Sequence, residues 1–429
     1  MKGALSRLLE PAWQLILNKE NINNYCATFS SFIIIPCKFF GNDTRLITEK
    51  VLSLFDSFFL AGFESACHIN RAGQRLNMLQ STQHDRLVFS DYELLRNFNI
   101  RTVRDGICWP LIERAGSFDF SSVRPMLEAA RQHGIQIIWT VFHYGYPDDL
   151  DIFSPAFVDR FARYCSALAH FIQDHTDQVP FYTPINEISF LAWAAGDVGY
   201  IHPFRIGQGV ELKRQLIRAA IAGIEAIWQV DPRARLVQVE PVIHVMAPRD
   251  RPDLVERAAT QRAGQFEAWD MITGQMDPGL GGHPKYLDIM GLNYYHSNQW
   301  EHPDVRLPWD ANPRDDRWVP LHQLLAEVYN RYRRPLFIGE TSHFGVGRGV
   351  WLREIYDEVR MAIRNGVPLE GITLYPIIDR PDWDDNTHWH NSGLWDLIPD
   401  EQGVLQRVLY EDYAAVLREI QEQESIPER

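Results

Sequence analysis

A (β/α)8 barrel of the TIM type, an α/β fold, carrying a non-barrel N-terminal extension, is the fold the sequence predicts. Three observations point to it. Strand-like and helix-like runs alternate eight times in series from Phe58 onward. The joins from each helix to the next strand are short, whereas three segments that follow strands are long, as in barrels whose post-strand loops build a functional face. No GxGxxG turn follows the first strand, where a doubly wound open sheet would be expected to carry one. The chain has 429 residues, which suits one such barrel with insertions.

Taken in order, residues 1–57 read as an extension without a sustained hydrophobic period, apart from a helix expected across 46–55, and they carry no functional reading. Residues 58–429 read as the barrel domain. Its strands are expected at 58–64, 100–107, 135–143, 180–186, 235–240, 286–295, 335–340 and 371–378, each a short run rich in β-branched and aromatic residues. Amphipathic patterns near 86–98, 121–133, 156–174, 210–230, 253–272, 319–332, 350–365 and 404–423 supply the helices. Gly134 and Gly366 each end a helical run and lead directly into a strand, which is a helix C-terminal signal. The long segments after strands are 187–209, 296–318 and 379–403.

Composition narrows the function. Lys and Arg total 42 and Asp and Glu total 56, so 42 − 56 gives a net charge of −14, which argues against a nucleic-acid partner. No apolar run approaches the ~20 residues that span a bilayer, so no membrane partner is expected. Five scattered cysteines without CxxC spacing fit reduced thiols, and with no export signal they point to a cytoplasmic protein. Of 13 tryptophans, seven (Trp193, Trp300, Trp309, Trp318, Trp383, Trp389 and Trp395) fall in the three long loops. Loops lie on the surface, so tryptophans gathered there suggest a binding face for flat ligands such as sugar rings.

The strand ends carry polar residues that a packed barrel layer does not require: Arg104, His143, Asn186, Glu187, Asn293, Tyr294, Tyr295 and Glu340. Glu187 ends the fourth strand and Glu340 the seventh, across the barrel from one another. A lone glutamate at a strand end is more often a surface or salt-bridged residue. Two carboxylates, with Arg104 and Tyr295 able to converge on Glu340, are the equipment of glycoside hydrolysis. A cluster of Asp382, Asp384, Asp385, His388 and His390 in the eighth loop has metal-ligand chemistry, yet the same groups bond sugar hydroxyls equally well. No metal and no cofactor is expected.

The motifs that hold these residues resemble those of glycoside hydrolase family 1, the β-glucosidase group. VRDGICWPLI is similar to FRFSISWSRI and sets the family's Arg on Arg104. TVFHYGYPDDL resembles TLYHWDLPQAL, with its His on His143. TPINE resembles TFNEP, MGLNYY resembles LGINYY, FIGETS resembles YITENG, and GITLYPIIDRPDW follows the register of GYFVWSLLDNFEW. The six motifs run in family order from about residue 58 to residue 396. The resemblance implies retaining β-glycoside hydrolysis with Glu340 as nucleophile and Glu187 as acid/base. Arg104 and Tyr295 would support Glu340, and Asn186 would donate to the sugar 2-hydroxyl. His68, His143, Tyr375, Asp382 and Trp383 would meet the sugar. The chain departs from the family where its Gln falls on His68, its last-strand Trp on Tyr375, its sugar-clamping Glu on Asp382 and its Pro on Ile188. These departures leave the reaction type better supported than the sugar. Open alternatives are a β-mannosidase, a β-galactosidase, an endo-glycanase, or a noncatalytic carbohydrate-binding relative. The oligomeric state is not legible.

Overall fold

Alternation along a strand sends successive side chains to opposite faces, so each barrel strand must feed two apolar layers. The computed structural model, which describes residues 53–114 and 116–424, shows both layers. Eight parallel strands close the barrel: β1 (Phe59–Gly62), β2 (Thr102–Gly106), β3 (Gln136–Thr140), β4 (Phe181–Thr183), β5 (Arg235–Pro241), β6 (Ile289–Asn293), β7 (Leu336–Thr341) and β8 (Leu369–Leu374). Chain order and spatial order coincide, and β8 pairs back onto β1. The expected strands and the barrel are therefore present.

Leu60, Ile138, Phe181, Val237, Val239, Ile289 and Phe337 fill the inside of the barrel. Phe55 plugs this layer, its ring 5.0 Å from that of Phe337 and 5.9 Å from that of Phe181. Their alternating neighbours, such as Phe59, Val103, Ile137, Leu236, Met290 and Ile372, face outward into a larger core shared with the helices. Those helices include α1 (His84–Leu95), α2 (Arg124–His133), α3 (Pro155–Gln173), α4 (Gly209–Val230), α5 (Val255–Ala263), α6 (Glu267–Thr273), α7 (Leu321–Tyr332), α8 (Arg348–Arg364) and α9 (Glu411–Glu424). Gly134 ends α2 at φ +67°, and Gly366, after α8, sits at φ +85°. Side chains other than Gly adopt that left-handed conformation rarely.

Three expectations need correction. The single helix expected at 253–272 breaks into α5 and α6 around a 3-10 turn at Gly264–Phe266. The helix expected from 404 starts only at Glu411. Before it, Trp395–Pro399 and Leu405–Leu409 form an antiparallel hairpin. Its turn is fixed by Asp400, whose Oδ1 accepts from the backbone N–H groups of Gln402 and Val404. That local side-chain turn outweighs the helical spacing of the apolar residues that follow. The loops at 296–318 and 379–403 likewise hold short strands, with Gln299–Glu301 joining His244–Met246 and Val305–Arg306 in a small sheet. Most of the helix expected across 46–55 lies outside the described residues, and from Leu54 to Asp56 the chain runs in bends.

Among the described residues Cys67, Cys108 and Cys165 are buried free thiols, while Cys26 and Cys37 lie outside them. No described helix is long and apolar enough to cross a membrane.

Candidate active site

The C-terminal ends of the strands converge on two glutamates. Glu340 should point outward by strand parity, because Phe337 faces in and Ile338 faces out. A bulge corrects this: against β6, Ile338 pairs with Leu292 and Glu340 with Asn293, so Gly339 and Glu340 together oppose one residue. Bulges of this kind re-aim side chains. Glycine at 339 avoids a clash, since a Cβ there would lie 2.6 Å from Asn293 Oδ1 and force that side chain to shift.

Re-aimed, Glu340 is 5% exposed and both its oxygens accept hydrogen bonds. Arg104 Nη1 donates to Oε1 at 2.9 Å and Tyr295 Oη to Oε2 at 2.8 Å. The same Arg104 nitrogen also donates to the Gly339 carbonyl at 2.7 Å. Arg104 is buried, and its guanidinium stays charged because Glu340 offsets the cost of burial.

Glu187 follows β4 with φ +44°, a left-handed conformation unusual for a side chain of this size. Its N–H donates to the Val239 carbonyl at 3.0 Å. Two residues on, the N–H of Ser189 donates to Glu240 at 3.0 Å, so buried Glu240 on β5 secures the turn. Strain held in this way is characteristic of functional positions. The Glu187 carboxyl accepts from Asn293 Nδ2 at 2.9 Å and from Tyr144 Oη at 2.5 Å. Burial and the nearby Glu340 charge raise its pKa to about 8, against the opposing pull of those two donors.

Asn186 joins the two carboxyls. Arg104 Nη2 donates to its Oδ1 at 2.9 Å, and its Nδ2 donates to Tyr144 Oη at 3.0 Å. The same Nδ2 lies 3.3 Å from His143 Nε2. Because a guanidinium only donates, the amide orientation is set, and His143 Nε2 must accept. His143 then carries its hydrogen on Nδ1, 2.9 Å from Ser65 Oγ and 3.7 Å from Glu64 Oε1. Burial keeps His143 neutral, lowering its pKa to about 3. Glu64 itself pairs with Arg380 at 3.3 Å.

The remaining expected residues divide. His68 is 1% exposed, and its ring meets the edge of Trp383 with centroids 4.8 Å apart. Burial lowers its pKa to about 3, so it too is neutral. Tyr375 lies beneath Arg104, whose guanidinium carbon is 5.4 Å from the ring centroid. Both His68 nitrogens, the Tyr375 hydroxyl and Trp383 Nε1 are buried without a hydrogen-bond partner among the described residues. Buried polar atoms are nearly always bonded, so this group is chemically matched to a ligand rich in hydroxyls.

Asp382, by contrast, is engaged within its own loop. Oδ1 accepts from the N–H groups of Asp384 and Asp385, and Oδ2 pairs with His390 Nε2 at 2.9 Å. Asp385 bonds Thr387, and no group of three or more His, Cys, Asp or Glu converges as metal ligands would among the described residues.

The tryptophan expectation is only partly met. Trp309 and Trp395 are buried, and Trp395 packs edge-on against Phe98. Trp383 packs against Tyr144, the residue bonded to Glu187, with ring centroids 5.9 Å apart, and against Phe190 at 6.3 Å. Phe190 leads on to Trp193, which is 49% exposed.

Tyr144, Ser65, Glu64, Arg380 and Glu240 are site residues that sequence reasoning missed. Tyr144 carried a signal, because it directly follows His143 and precedes Gly145 at a strand end. Glu64 and Ser65 lie in the run after β1 with no spacing to mark them.

No family model matches this chain, and no curated protein matches it by sequence. Solved structures do. A β-glucosidase from Thermotoga maritima in complex with glucoimidazole superposes with a TM-score of 0.66 at 15% identity, covering 79% of this chain and 87% of that one. The family 1 β-glucosidase from Thermotoga maritima gives 0.65 at 16%, covering 79% and 86%. The AHE enzyme from Alicyclobacillus herbarius gives 0.65 at 18%, covering 80% and 87%. The chain thus has the fold of family 1 β-glucosidases.

Proposed function

We propose that the protein is a retaining β-glycosidase, β-glucosidase-like in reaction, that hydrolyses O-glycosidic bonds by double displacement. One observation carries the reading: an ion-paired carboxylate, Glu340, is tied through Arg104, Asn186 and Tyr144 to Glu187, a carboxyl whose pKa is raised to about 8. Two carboxyl groups with differing protonation are what the reaction demands.

Glu340 attacks the anomeric carbon as Glu187 gives its proton to the departing oxygen. A glycosyl ester on Glu340 results. Glu187, now a carboxylate, takes a proton from water, which attacks the same carbon and frees Glu340. The long contact between Asn186 Nδ2 and His143 is the one a sugar 2-hydroxyl replaces. His68, Tyr375 and Trp383 offer their unpartnered atoms to the other hydroxyls. No metal or cofactor enters this scheme.

The neighbouring reading, in which the sugar is mannose or galactose or the enzyme acts within a chain, is favoured by the internal engagement of Asp382 and by the departures at His68 and Tyr375. An aryl β-glycoside panel separates these sugars. In the same panel, Glu340→Gly should lose hydrolysis, and added azide should return an α-glycosyl azide. Undiminished hydrolysis by that variant would sink the proposal.

A further inference from the structure

Tyr144 is a buried titratable group in direct contact with Glu187 that the double displacement leaves unused. In the motif that TVFHYGYPDDL resembles, the residue after the His is Trp, which has no hydroxyl. Here the residue is 1% exposed, and its backbone is left-handed at φ +67°. Its ring packs between Phe190 and Trp383, with centroids 5.4 and 5.9 Å away, and edge-on to His143 at 4.6 Å. A strained backbone and a tightly packed ring fix the hydroxyl in space.

The direction of its hydrogen bond is fixed as well. Arg104 Nη2 can only donate, so it takes Asn186 Oδ1 and leaves Nδ2 facing Tyr144. The phenol oxygen therefore accepts from Asn186, and its own hydrogen has one acceptor among the described residues, Glu187 Oε2 at 2.5 Å. We propose that Tyr144 is a positioning residue for the proton-donating carboxyl: an obligate hydrogen-bond donor, oriented through Arg104 and Asn186, that holds Glu187 and stabilises the carboxylate left when the leaving group takes its proton. This role rests on the glycosidase reading of the site.

Several groups face Glu187. Glu340 on β7 and Glu240 on β5 are acids that oppose its ionisation, and Asn293 on β6 donates to its other oxygen. Tyr295, beyond β6, is a half-buried phenol that donates to Glu340. The Arg104 charge is directed at Glu340 and not at Glu187. Tyr144 is thus one of two donors set against burial and two like charges. Its own pKa is raised well above the ordinary phenol value, chiefly by burial, so it remains a donor throughout the working range.

Removing the donor should make Glu187 a weaker acid. The test is the pH profile of kcat/KM with an aryl β-glycoside of a poor leaving group, whose alkaline limb reports the acid that must be protonated. Tyr144→Phe should move that limb upward by about one pH unit, since one hydrogen bond to a charged group is comparable to one pKa unit. Replacing Tyr144 with 2,3-difluorotyrosine, a stronger donor of the same shape, should move the limb downward and keeps the test available if the Phe variant does not fold. Glu187→Ala, measured alongside, should abolish the limb and give a β-glycosyl azide when azide is added. Should the limb stay within about 0.2 unit in the Tyr144 variants while Glu187→Ala abolishes it, Tyr144 is packing alone and the proposal is overturned. If Glu187→Ala keeps the wild-type limb, the acid/base assignment itself fails and takes the proposal with it.

Discussion

Glu187 and Glu340 are the same residue type a few hydrogen bonds apart, and their surroundings give them different work. Glu340 receives a guanidinium and a phenol, one on each oxygen. Glu187 receives an amide and a phenol, faces two further carboxyls and has no cation paired with it among the described residues. Activity should therefore decline as pH rises through about 8, where Glu187 loses its proton. Arg104→Met removes the cation that pairs with Glu340 at 2.9 Å. A buried carboxylate left alone in this way costs about 3–5 kcal/mol of stability unless it takes up a proton, and the protonated form cannot attack. Either route predicts a kcat loss of at least about a hundredfold, together with a lower thermal midpoint if the charge persists. Steady-state kinetics and a melting curve check both, and wild-type kcat would contradict the pairing. The sequence displayed Arg104, Tyr295 and both glutamates because they end recognisable strands. Tyr144 was visible as the neighbour of His143, but its role was not, since that role arises from a left-handed backbone and an amide orientation that no spacing encodes.

Among the elements, β7 shows how a strand can carry its proposed nucleophile against its own parity. Alternation along LFIGET places residue 337 inside and therefore residue 339, not Glu340. The extra residue in the bulge exchanges them. Gly339→Ala would set a Cβ 2.6 Å from Asn293 Oδ1 and 3.2 Å from the Gly291 backbone. Overpacking of this kind costs about 1–3 kcal/mol. It would also displace Asn293 from Glu187 and the Gly339 carbonyl from Arg104. The expected result is a folded, less stable protein whose activity falls far more than its stability, read by denaturant unfolding beside kinetics. Unchanged activity would mean that the bulge does not aim Glu340. The strand was legible from its apolar run, whereas the bulge was not, because one inserted residue leaves no trace in a six-residue pattern. The hairpin before α9 was misread for a related reason. Its apolar residues satisfy a helical spacing, and a single aspartate-based turn decides otherwise.

For the whole molecule, the sequence disclosed the architecture and the order of its parts, because eight repeats of one unit leave a periodic record. It did not disclose what fastens the layers. One fastening is a charged cluster buried outside the barrel. His84 on α1 contacts Asp91 through Nδ1 at 2.7 Å and Asp105 on β2 through Nε2 at 2.8 Å. Arg407, on the hairpin, holds Asp91 at 2.6 Å. Burial alone would depress the His84 pKa, but Asp105 and Asp91 together raise it to about 9, from an ordinary 6.5. A histidine whose pKa rises on folding contributes stability that is fully present below pH 6.5 and is lost as pH climbs through 9. The difference of about 2.5 pKa units corresponds to roughly 3 kcal/mol. Urea unfolding of the wild type at pH 6 and pH 9.5 should show that loss relative to His84→Gln, and parallel pH dependence in the two proteins would refute it.

In the proposed double displacement Glu340 bonds covalently to the sugar. A 2-deoxy-2-fluoro-β-glycoside with a good leaving group slows release of the glycosyl ester, so the adduct can be digested and located by mass spectrometry. One fluoroglycosyl group per chain is expected, on the peptide containing Glu340, with activity lost in proportion. Labelling on any other residue, or turnover of the matching unfluorinated glycoside with no adduct formed, would contradict it.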